Sequence, residues 1–360
     1  MFKIIFGTLP AWVCLAWAIT HVPRYSAADL ARKKLTWFLG AATLLYFSHA
    51  YYFNLGSNRW VEGVWLFASL ASYPLYYLYI RQLTTEAAIS RRWLMVLLPG
   101  VAVALLAWSG FIAEAQACHK ICFGLSVLLV VVFGYLRLHA YDQRLAQAFA
   151  NTDTYSMQRI RVILICFVAA SICSSVINVI GKQYFYDSEW LLAIPSVIFA
   201  VLLHVLFRTG YRLPYVAVML SEQLANDAPK ASTTDTEAQN ESLSPAMAEK
   251  IGTSLHVLMT QRQLYLQPNV KLSDLAREIG TCRTYLSTYL NQTLGTDFST
   301  YINQQRIEHA KQQLPLLATS QSIDSFYREF GFASPRAFFR NFKQYTGMTP
   351  DEWIKQNHKN

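Results

Sequence analysis

Apolar residues fill the first two hundred positions in blocks of about twenty, separated by short polar stretches. The blocks run near Phe2–Thr20, Leu35–Asn54, Trp60–Ile80, Trp93–Ala113, Ile121–His139, Ile160–Ile180 and Trp190–Phe207. About 20 apolar residues in a helix cross the ~30 Å hydrocarbon layer of a bilayer, so the pattern predicts seven transmembrane helices. Past Leu220 it changes. "SEQLANDAPKASTTDTEAQNESLSP" has no aromatic residue and few large apolar ones, and such a stretch cannot bury enough surface to offset its ordering entropy. From Ala246 onward apolar residues recur at helical spacing on an otherwise polar chain, as in Ile251, Leu255 and Leu258. Three domains are therefore expected: a seven-helix bundle over 1–220, an acidic linker over 221–245, and an all-α domain over 246–360. A flexible linker of that length spans ~25–30 Å on average, which keeps the last domain close to the membrane.

Charge fixes the orientation. Arg24, Arg32, Lys33 and Lys34 follow the first block, Arg81, Arg91 and Arg92 the third, and Arg137, Arg144, Arg159 and Arg161 the fifth; Arg208 and Arg212 follow the seventh. The intervening loops hold little more than Arg59, Lys120 and Lys182. Cytoplasmic loops are the basic ones, so the amino terminus is expected outside and the carboxyl terminus in the cytoplasm of a bacterial inner membrane. Removing the first block as a signal peptide after Ala16-Trp17-Ala18 would leave Arg32, Lys33 and Lys34 outside and invert every later loop, so the block is read as a retained span. Composition agrees with a membrane protein: 53% of the 360 residues are hydrophobic and 15% charged, against about 25% charged in soluble domains. Part of the net charge of +9 is this loop bias, and is no argument for nucleic acid on its own.

In the carboxyl-terminal region, "VKLSDLAREIGTCRTYLSTYLNQTLG" reads as a short helix with Leu272, Leu275, Ala276 and Ile279 inside, a turn at Gly280, and a second helix buried through Leu286 and Leu290. This is the sequence shape of a helix-turn-helix. An amphipathic connector follows over Phe298–Leu314, with Ile302, Arg306, Ile307 and Ala310. The pattern then repeats: Ile323 and Phe326 in a helix, Gly331 at the turn, and Phe338 and Phe342 in a closing helix that also carries Arg336, Arg340 and Lys343. A helix-turn-helix places its second helix in the major groove. Arg283, Thr284, Ser287 and Thr288 are the exposed positions of the first such helix, and Arg336 and Arg340 share a face of the second. An Arg–guanine pair is worth roughly 1–3 kcal/mol of discrimination. Lys343 is placed for phosphate, a contact that positions without specifying.

Over roughly Val270–Gln356 the chain resembles the DNA-binding domain of AraC/XylS-type transcription regulators. The firmest match is "GFASPRAFFRNFKQYTGMTP", followed by "YINQQRIEHA"; with "LYLQPNVKLSDLA" and the apolar region before it, the layout resembles the membrane-anchored branch of that family. Tyr327, Phe339 and Pro315 depart from the family pattern, Pro315 interrupting the end of the connector. The resemblance implies base contacts at Thr284, Ser287, Thr288, Arg336, Phe339 and Arg340, with promoter DNA and RNA polymerase as partners. Residues 246–360 carry only a small basic excess, 13 Lys and Arg against 9 Asp and Glu, so a second copy of the chain (a homodimer) is expected to strengthen binding on a double site through effective concentration.

Polar residues inside spans are functional hypotheses by default. His49, Asn54, Glu62, Glu114 and Asn178 all fall toward the outer ends of their spans, which makes them candidate ligand-binding residues for a signal from outside or from membrane lipid; interfacial anchoring is the plainer reading. His204 lies deeper, where an interhelical hydrogen bond is expected. Cys118-His119-x-x-Cys122 lacks a second ligand pair and reads as packing rather than as a metal site. No phosphate loop, HExxH or kinase signature is present, so no cofactor and no enzymatic activity are expected. The expected function is a membrane-embedded one-component transcription regulator; the alternative is a seven-helix receptor or anchor whose tail is a protein-interaction module.

Overall fold

The structure is a computed structural model, which describes residues 2–21, 30–56, 58–85, 90–152, 157–180, 189–212, 243–317 and 323–357. Its regular elements among the described residues are helical. The chain divides into two compact units, one formed by Met1–Ala140 with Met157–Gln223, the other by Tyr141–Ser156 with Leu224–Asn360.

The first unit is built from α1 (Phe2–His21), α2 (Leu30–Leu55), α3 (Arg59–Leu83), a 3-10 turn at Arg91–Leu97, α4 (Leu98–Trp108), α5 (Ile112–Ala148), α6 (Gln158–Ile180) and α7 (Glu189–Arg212). α2 packs along α3, and α1 packs against both α2 and α7. Asn58 starts α3 by accepting a hydrogen bond from the Trp60 amide at 2.9 Å, so one of the orphan donors of the first turn is satisfied. Leu66, Leu70, Val103, Ala107 and Ala115 form a buried cluster that joins α3, α4 and α5.

Six of the seven apolar blocks lie within single helices. The block expected as a continuous span at Trp93–Ala113 does not: it divides into the 3-10 turn, α4, and a break at Gly110, whose φ of +102° ends the helix. The loop expected between the fourth and fifth blocks is helical as well, because nothing between Ile112 and Phe123 breaks a helix, and α5 runs unbroken for 37 residues. Among the described residues, two helices are long and apolar enough to cross a membrane by length and composition, Ile112–Ala148 and Ala193–Gly210; Gly7–Ile19 and Arg92–Trp108 are shorter apolar helices. The acidic linker expected over 221–245 lies outside the described residues up to 242, and Pro245 already opens a helix behind an N-cap at Ser244.

The second unit contains α8 (Pro245–Thr260), a 3-10 turn at Leu264–Leu266, α9 (Leu272–Ile279), α10 (Arg283–Thr288) continued by a π turn at Tyr289–Thr293, α11 (Phe298–Leu317), a 3-10 helix at Ile323–Arg328, α12 (Pro335–Thr346) and α13 (Pro350–Asn357). Two cores lie side by side along α11. The first gathers Ile251, Leu255, Leu275, Leu286, Leu290, Phe298 and Ile302, together with Ala150. The second gathers Ile307, Ala310, Leu314, Phe326, Phe330, Phe338, Phe342 and Ile354. Pro315, expected to interrupt α11, is accommodated inside it: the Lys311 carbonyl, which a residue with an amide at 315 would have bonded, accepts from Trp353 Nε1 at 3.3 Å instead. Ile323 and Phe326 lie in a tight 3-10 helix and not in an α-helix.

Candidate nucleic-acid interface

The two helix-turn-helix units share the geometry of their turns. In the first, Gly280 adopts φ +73° and donates to Arg277 O at 3.1 Å, and the Thr281 amide donates to Ala276 O at 2.9 Å. In the second, Gly331 adopts φ +78° and donates to Arg328 O at 3.0 Å, while the Phe332 amide donates to Tyr327 O at 2.9 Å. Both sets are the paired 6→1 and 5→2 bonds of a glycine-ended helix, made where only glycine enters the left-handed region without strain. The space around them differs. A Cβ on Gly280 would meet nothing within 4 Å, whereas one on Gly331 would stand 2.7 Å from Tyr265 O and 2.9 Å from Arg306 Nε.

The second helices differ more. α10 has six residues, an extended Cys282 at its N-cap without a side-chain bond, and an immediate passage into the π turn. Leu286 is buried; Arg283 and Thr284 are exposed, while Ser287 and Thr288 are half-buried, with Ser287 Oγ accepting from Asn291 Nδ2 at 3.3 Å. α12 has twelve residues, with Pro335 at its first position and Ser334 Oγ accepting from the Ala337 amide at 3.2 Å. Ala337, Phe338, Asn341 and Phe342 are buried, and Arg336, Arg340 and Lys343 are exposed. Positions i, i+4 and i+7 lie on one face of a helix, so the three cations form one stripe. Phe339, expected at a base-contact position, is half-buried and packs edge-on against Phe338 with centroids 5.5 Å apart.

A buried arginine ties the two units to one helix. Arg306 on α11 is fully buried; its Nε donates to Tyr265 O at 2.6 Å, Nη2 to Gln267 O at 2.7 Å and Nη1 to Asn303 Oδ1 at 3.1 Å. The guanidinium also lies 5.4 Å from the centroid of Phe332, in the turn of the second unit. Burial pulls its pKa down to about 10, which leaves it charged at neutral pH. Sequence reasoning marked Arg306 within the connector pattern and missed this role. The signal was there: Ile302, Arg306 and Ala310 recur every four residues, so the arginine stands on the apolar stripe.

α13 closes the second unit through a reciprocal cap, the Thr349 amide donating to Glu352 Oε2 at 2.7 Å and the Glu352 amide donating to Thr349 Oγ1 at 3.3 Å. The bond from the Thr349 amide foremost, and then the Thr349 hydroxyl, hold the Glu352 carboxyl below its usual range. Trp353 packs edge-on against Phe342 and donates from Nε1 to Lys311 O at 3.3 Å.

Of the candidate ligand residues in the first unit, some come together and others do not. Glu62 is buried and its Oε1 accepts from Gln116 Nε2 at 2.7 Å. Two turns along α3, Ser69 Oγ is hydrogen-bonded to His119 Nε2. The Trp65 ring lies between them, 5.1 Å from His119 and 6.1 Å from His49. Asn54 turns back onto its own helix, donating to Ala50 O at 2.8 Å, and Glu114 is exposed; neither joins this cluster. The side chain of Asn178 lies outside the described residues. His119 and Gln116 were not singled out as ligand residues, because the span reading put them in a loop. His204 accepts from Trp17 Nε1 at 3.4 Å, an α1–α7 bond. Cys118 is exposed on α5, and Cys122 packs against the α3–α5 cluster.

Comparison with known proteins bears on the second unit. Residues 275–356 match the family described as a helix-turn-helix domain. An uncharacterized HTH-type transcriptional regulator of Staphylococcus aureus (strain MSSA476) is 34% identical over 91 residues, which are 25% of this chain and 12% of that protein. The uncharacterized transcriptional regulatory protein YesN of Bacillus subtilis (strain 168) is also 34% identical over 91 residues, 25% of this chain and 24% of that protein. The chain thus spans between an eighth and a quarter of the length of these relatives. No solved structure matches it. Together, the two glycine turns, the connector helix and this match identify the carboxyl-terminal part of the chain as a helix-turn-helix domain of the AraC type.

Proposed function

We propose that the chain is a membrane-embedded one-component transcription regulator, in which the helical bundle receives a signal and the tandem helix-turn-helix domain binds promoter DNA. The observation that carries the DNA part is the α12 stripe. Arg336, Arg340 and Lys343 are exposed on the helix that such a motif inserts into the major groove, and they are backed by an aromatic core that fixes their spacing. Arg336 and Arg340 read base edges, and Lys343 takes a phosphate; Arg283, Thr284, Ser287 and Thr288 on α10 supply a weaker second reading. Phe339 presents its outer edge to thymine methyl groups. The names of the relatives, both transcriptional regulators, point the same way.

The membrane part rests on the apolar blocks, the alternation of basic loops, and the two helices able to span a bilayer. On this reading the chain lies in the cytoplasmic membrane with the amino terminus outside. Glu62, Gln116, Ser69, His119, His49 and Trp65 are the residues through which a small polar signal, or a lipid headgroup, would act. The helix-turn-helix region holds 13 Lys and Arg against 9 Asp and Glu over 246–360, a small excess that favours a homodimer on a double site through effective concentration. RNA polymerase is the partner through which a bound activator would work.

The test is genome-wide crosslinking of DNA to the full-length protein beside Arg336→Ala/Arg340→Ala. Discrete sites sharing a motif and lost in the double variant are expected, since two arginine–base contacts are worth about 2–6 kcal/mol together. Occupancy equal in the two proteins would overturn the reading in favour of a protein-interaction tail.

A further inference from the structure

The chain between α5 and α6 belongs to the same compact unit as the helix-turn-helix domain, although both flanking helices belong largely to the first unit. α5 itself is long: at 1.5 Å per residue its 37 residues extend about 55 Å, well beyond the ~30 Å needed to cross hydrocarbon. Just past its end, Phe149 pairs with Lys271 in an isolated antiparallel bridge, and the Ala150 amide donates to Val270 O at 3.3 Å. The Ala150 carbonyl then accepts two bonds from the first turns of α11, from Ser299 Oγ at 3.0 Å and from Asn303 Nδ2 at 3.2 Å. Phe149 is 7% exposed and Ala150 1%, and the Ala150 methyl group is part of the first helix-turn-helix core.

Every polar group of Ala150 is thus matched by a residue of the domain, as an added strand is matched by a sheet edge. The receiving side is built for it. Ser299 and Asn303 are buried polar residues, hydrogen-bonded to each other at 3.3 Å. The Asn303 amide gives its NH2 to Ala150 and its oxygen to Arg306. Arg306 in turn holds the Tyr265 and Gln267 carbonyls and lies against Phe332 in the turn of the second unit. A continuous buried path therefore runs from one main-chain carbonyl after α5 to the Gly331–Phe332 turn that orients α12.

We propose that Phe149–Ala150 is a docking segment and that the slot formed by Val270, Lys271, Ser299 and Asn303 is its receptor, so that the α5–α6 connection binds and releases the DNA-binding domain. Docked, the segment fixes Asn303 and, through Arg306, the register of the two helix-turn-helix units. Released, it leaves the domain held by its linker alone. A shift of the α5 and α6 ends in the membrane would reach the domain by this route. The effect on DNA rests on the regulator reading above; the docking itself does not.

Two substitutions attack one bond from opposite sides. Ala150→Glu puts a charged chain where a buried methyl group sits. Asn303→Asp keeps the oxygen that Arg306 needs and replaces the donor to Ala150 with a repelling carboxylate oxygen. Hydrogen exchange of the full-length protein in phosphatidylethanolamine/phosphatidylglycerol nanodiscs is expected to quicken at least tenfold in both variants over 264–271 and 298–306, with 335–346 unchanged within twofold. No change over 264–306, a change in only one variant, or an equal rise across 335–346 would overturn the proposal, the last because it would make the segment an inseparable part of the fold. In the crosslinking experiment both variants are expected to lose occupancy at least fivefold at the wild-type sites. Full occupancy together with quickened exchange would overturn the relay to DNA. A wild-type protein that occupies no sites would instead count against the regulator reading, with the exchange result still deciding the docking.

Discussion

The two helix-turn-helix units make the same turn with different means. Each ends its first helix on a left-handed glycine with the same pair of bonds, yet Gly280 faces open space and Gly331 faces the Tyr265 carbonyl and the Arg306 guanidinium. In the first unit the second helix has six residues, hydroxyl side chains and an N-cap that lacks a side-chain bond. The second unit presents arginines from a twelve-residue helix with a bonded serine cap, proline at its first position and an aromatic core. The second is the more firmly positioned helix, and it owes this partly to Arg306, which lies on the connector between the units. On the regulator reading proposed above, that rigidity matters because a bidentate arginine contact tolerates little displacement.

The largest break in this arrangement is expected from Arg306→Met. It fills much of the same volume and leaves the Tyr265 and Gln267 carbonyls and the Asn303 oxygen without their donor. Leaving a buried acceptor without its donor costs about 1–3 kcal/mol, and Arg306 serves three of them. Urea unfolding of the full-length protein, followed by hydrogen exchange at 335–346 and 272–290, is expected to show both units destabilised together. A loss confined to one unit would mean that Arg306 does not couple them.

The glycines sharpen the comparison. Gly280→Ala meets left-handed strain alone, about 1–2 kcal/mol. Gly331→Ala adds an overpacked methyl group against backbone, about 1–3 kcal/mol more. Exchange-derived stability should therefore fall further for Gly331→Ala, and equal losses would mean that the crowding at that turn relaxes without cost.

These differences were only partly legible in the sequence. Both turns were, because a glycine after a short apolar-periodic helix has one strong use. The buried faces of α9, α10 and α12 followed from leucine and phenylalanine spacing, and the arginine stripe from Arg336, Arg340 and Lys343. The crowding at Gly331 was not, since it depends on Tyr265 and Arg306, far away in the chain. Nor was the half-burial of Phe339 against Phe338, which depends on how far the aromatic core extends around α12. In the amino-terminal bundle, the apolar blocks marked helices well, but hydropathy alone could not distinguish a loop from an uninterrupted helix at Glu114–Lys120. His119 was hidden by that, and Ala150 by having no chemistry except its backbone.

The caps should give a smaller effect, with opposite signs in the two units. Ser334→Ala removes the bond to the Ala337 amide and is expected to cost ~1 kcal/mol at α12. Cys282 occupies the equivalent position with extended backbone, φ −85° and ψ 157°, so Cys282→Ser supplies a cap where none exists. It is expected to stabilise α10 by ~0.5–1 kcal/mol. Exchange protection at 283–290 checks it, and no gain there would mean that the π turn, not the cap, limits the first reading helix.

The smallest effect should come from His309, which sits where the two cores meet. Its Nδ1 is hydrogen-bonded to the Tyr265 hydroxyl at 3.3 Å, and its ring lies edge-on to Phe330. Burial lowers its pKa below the usual 6.5 and raises that of Tyr265. With the folded value below the unfolded one, the unfolded chain takes up the proton first as the medium is acidified. The stability tied to neutral His309 is therefore fully present above pH 6.5 and is lost as pH falls from there through the folded-state value, with a slope of at most one proton. The ring is half-buried, so solvent screens much of the effect. Urea midpoints between pH 8 and pH 5 are expected to fall modestly in the wild-type protein and less in His309→Gln, which keeps a hydrogen-bonding side chain but does not titrate. Identical slopes in the two proteins would assign the acid sensitivity to other groups, and would leave the joint between the two units insensitive to pH.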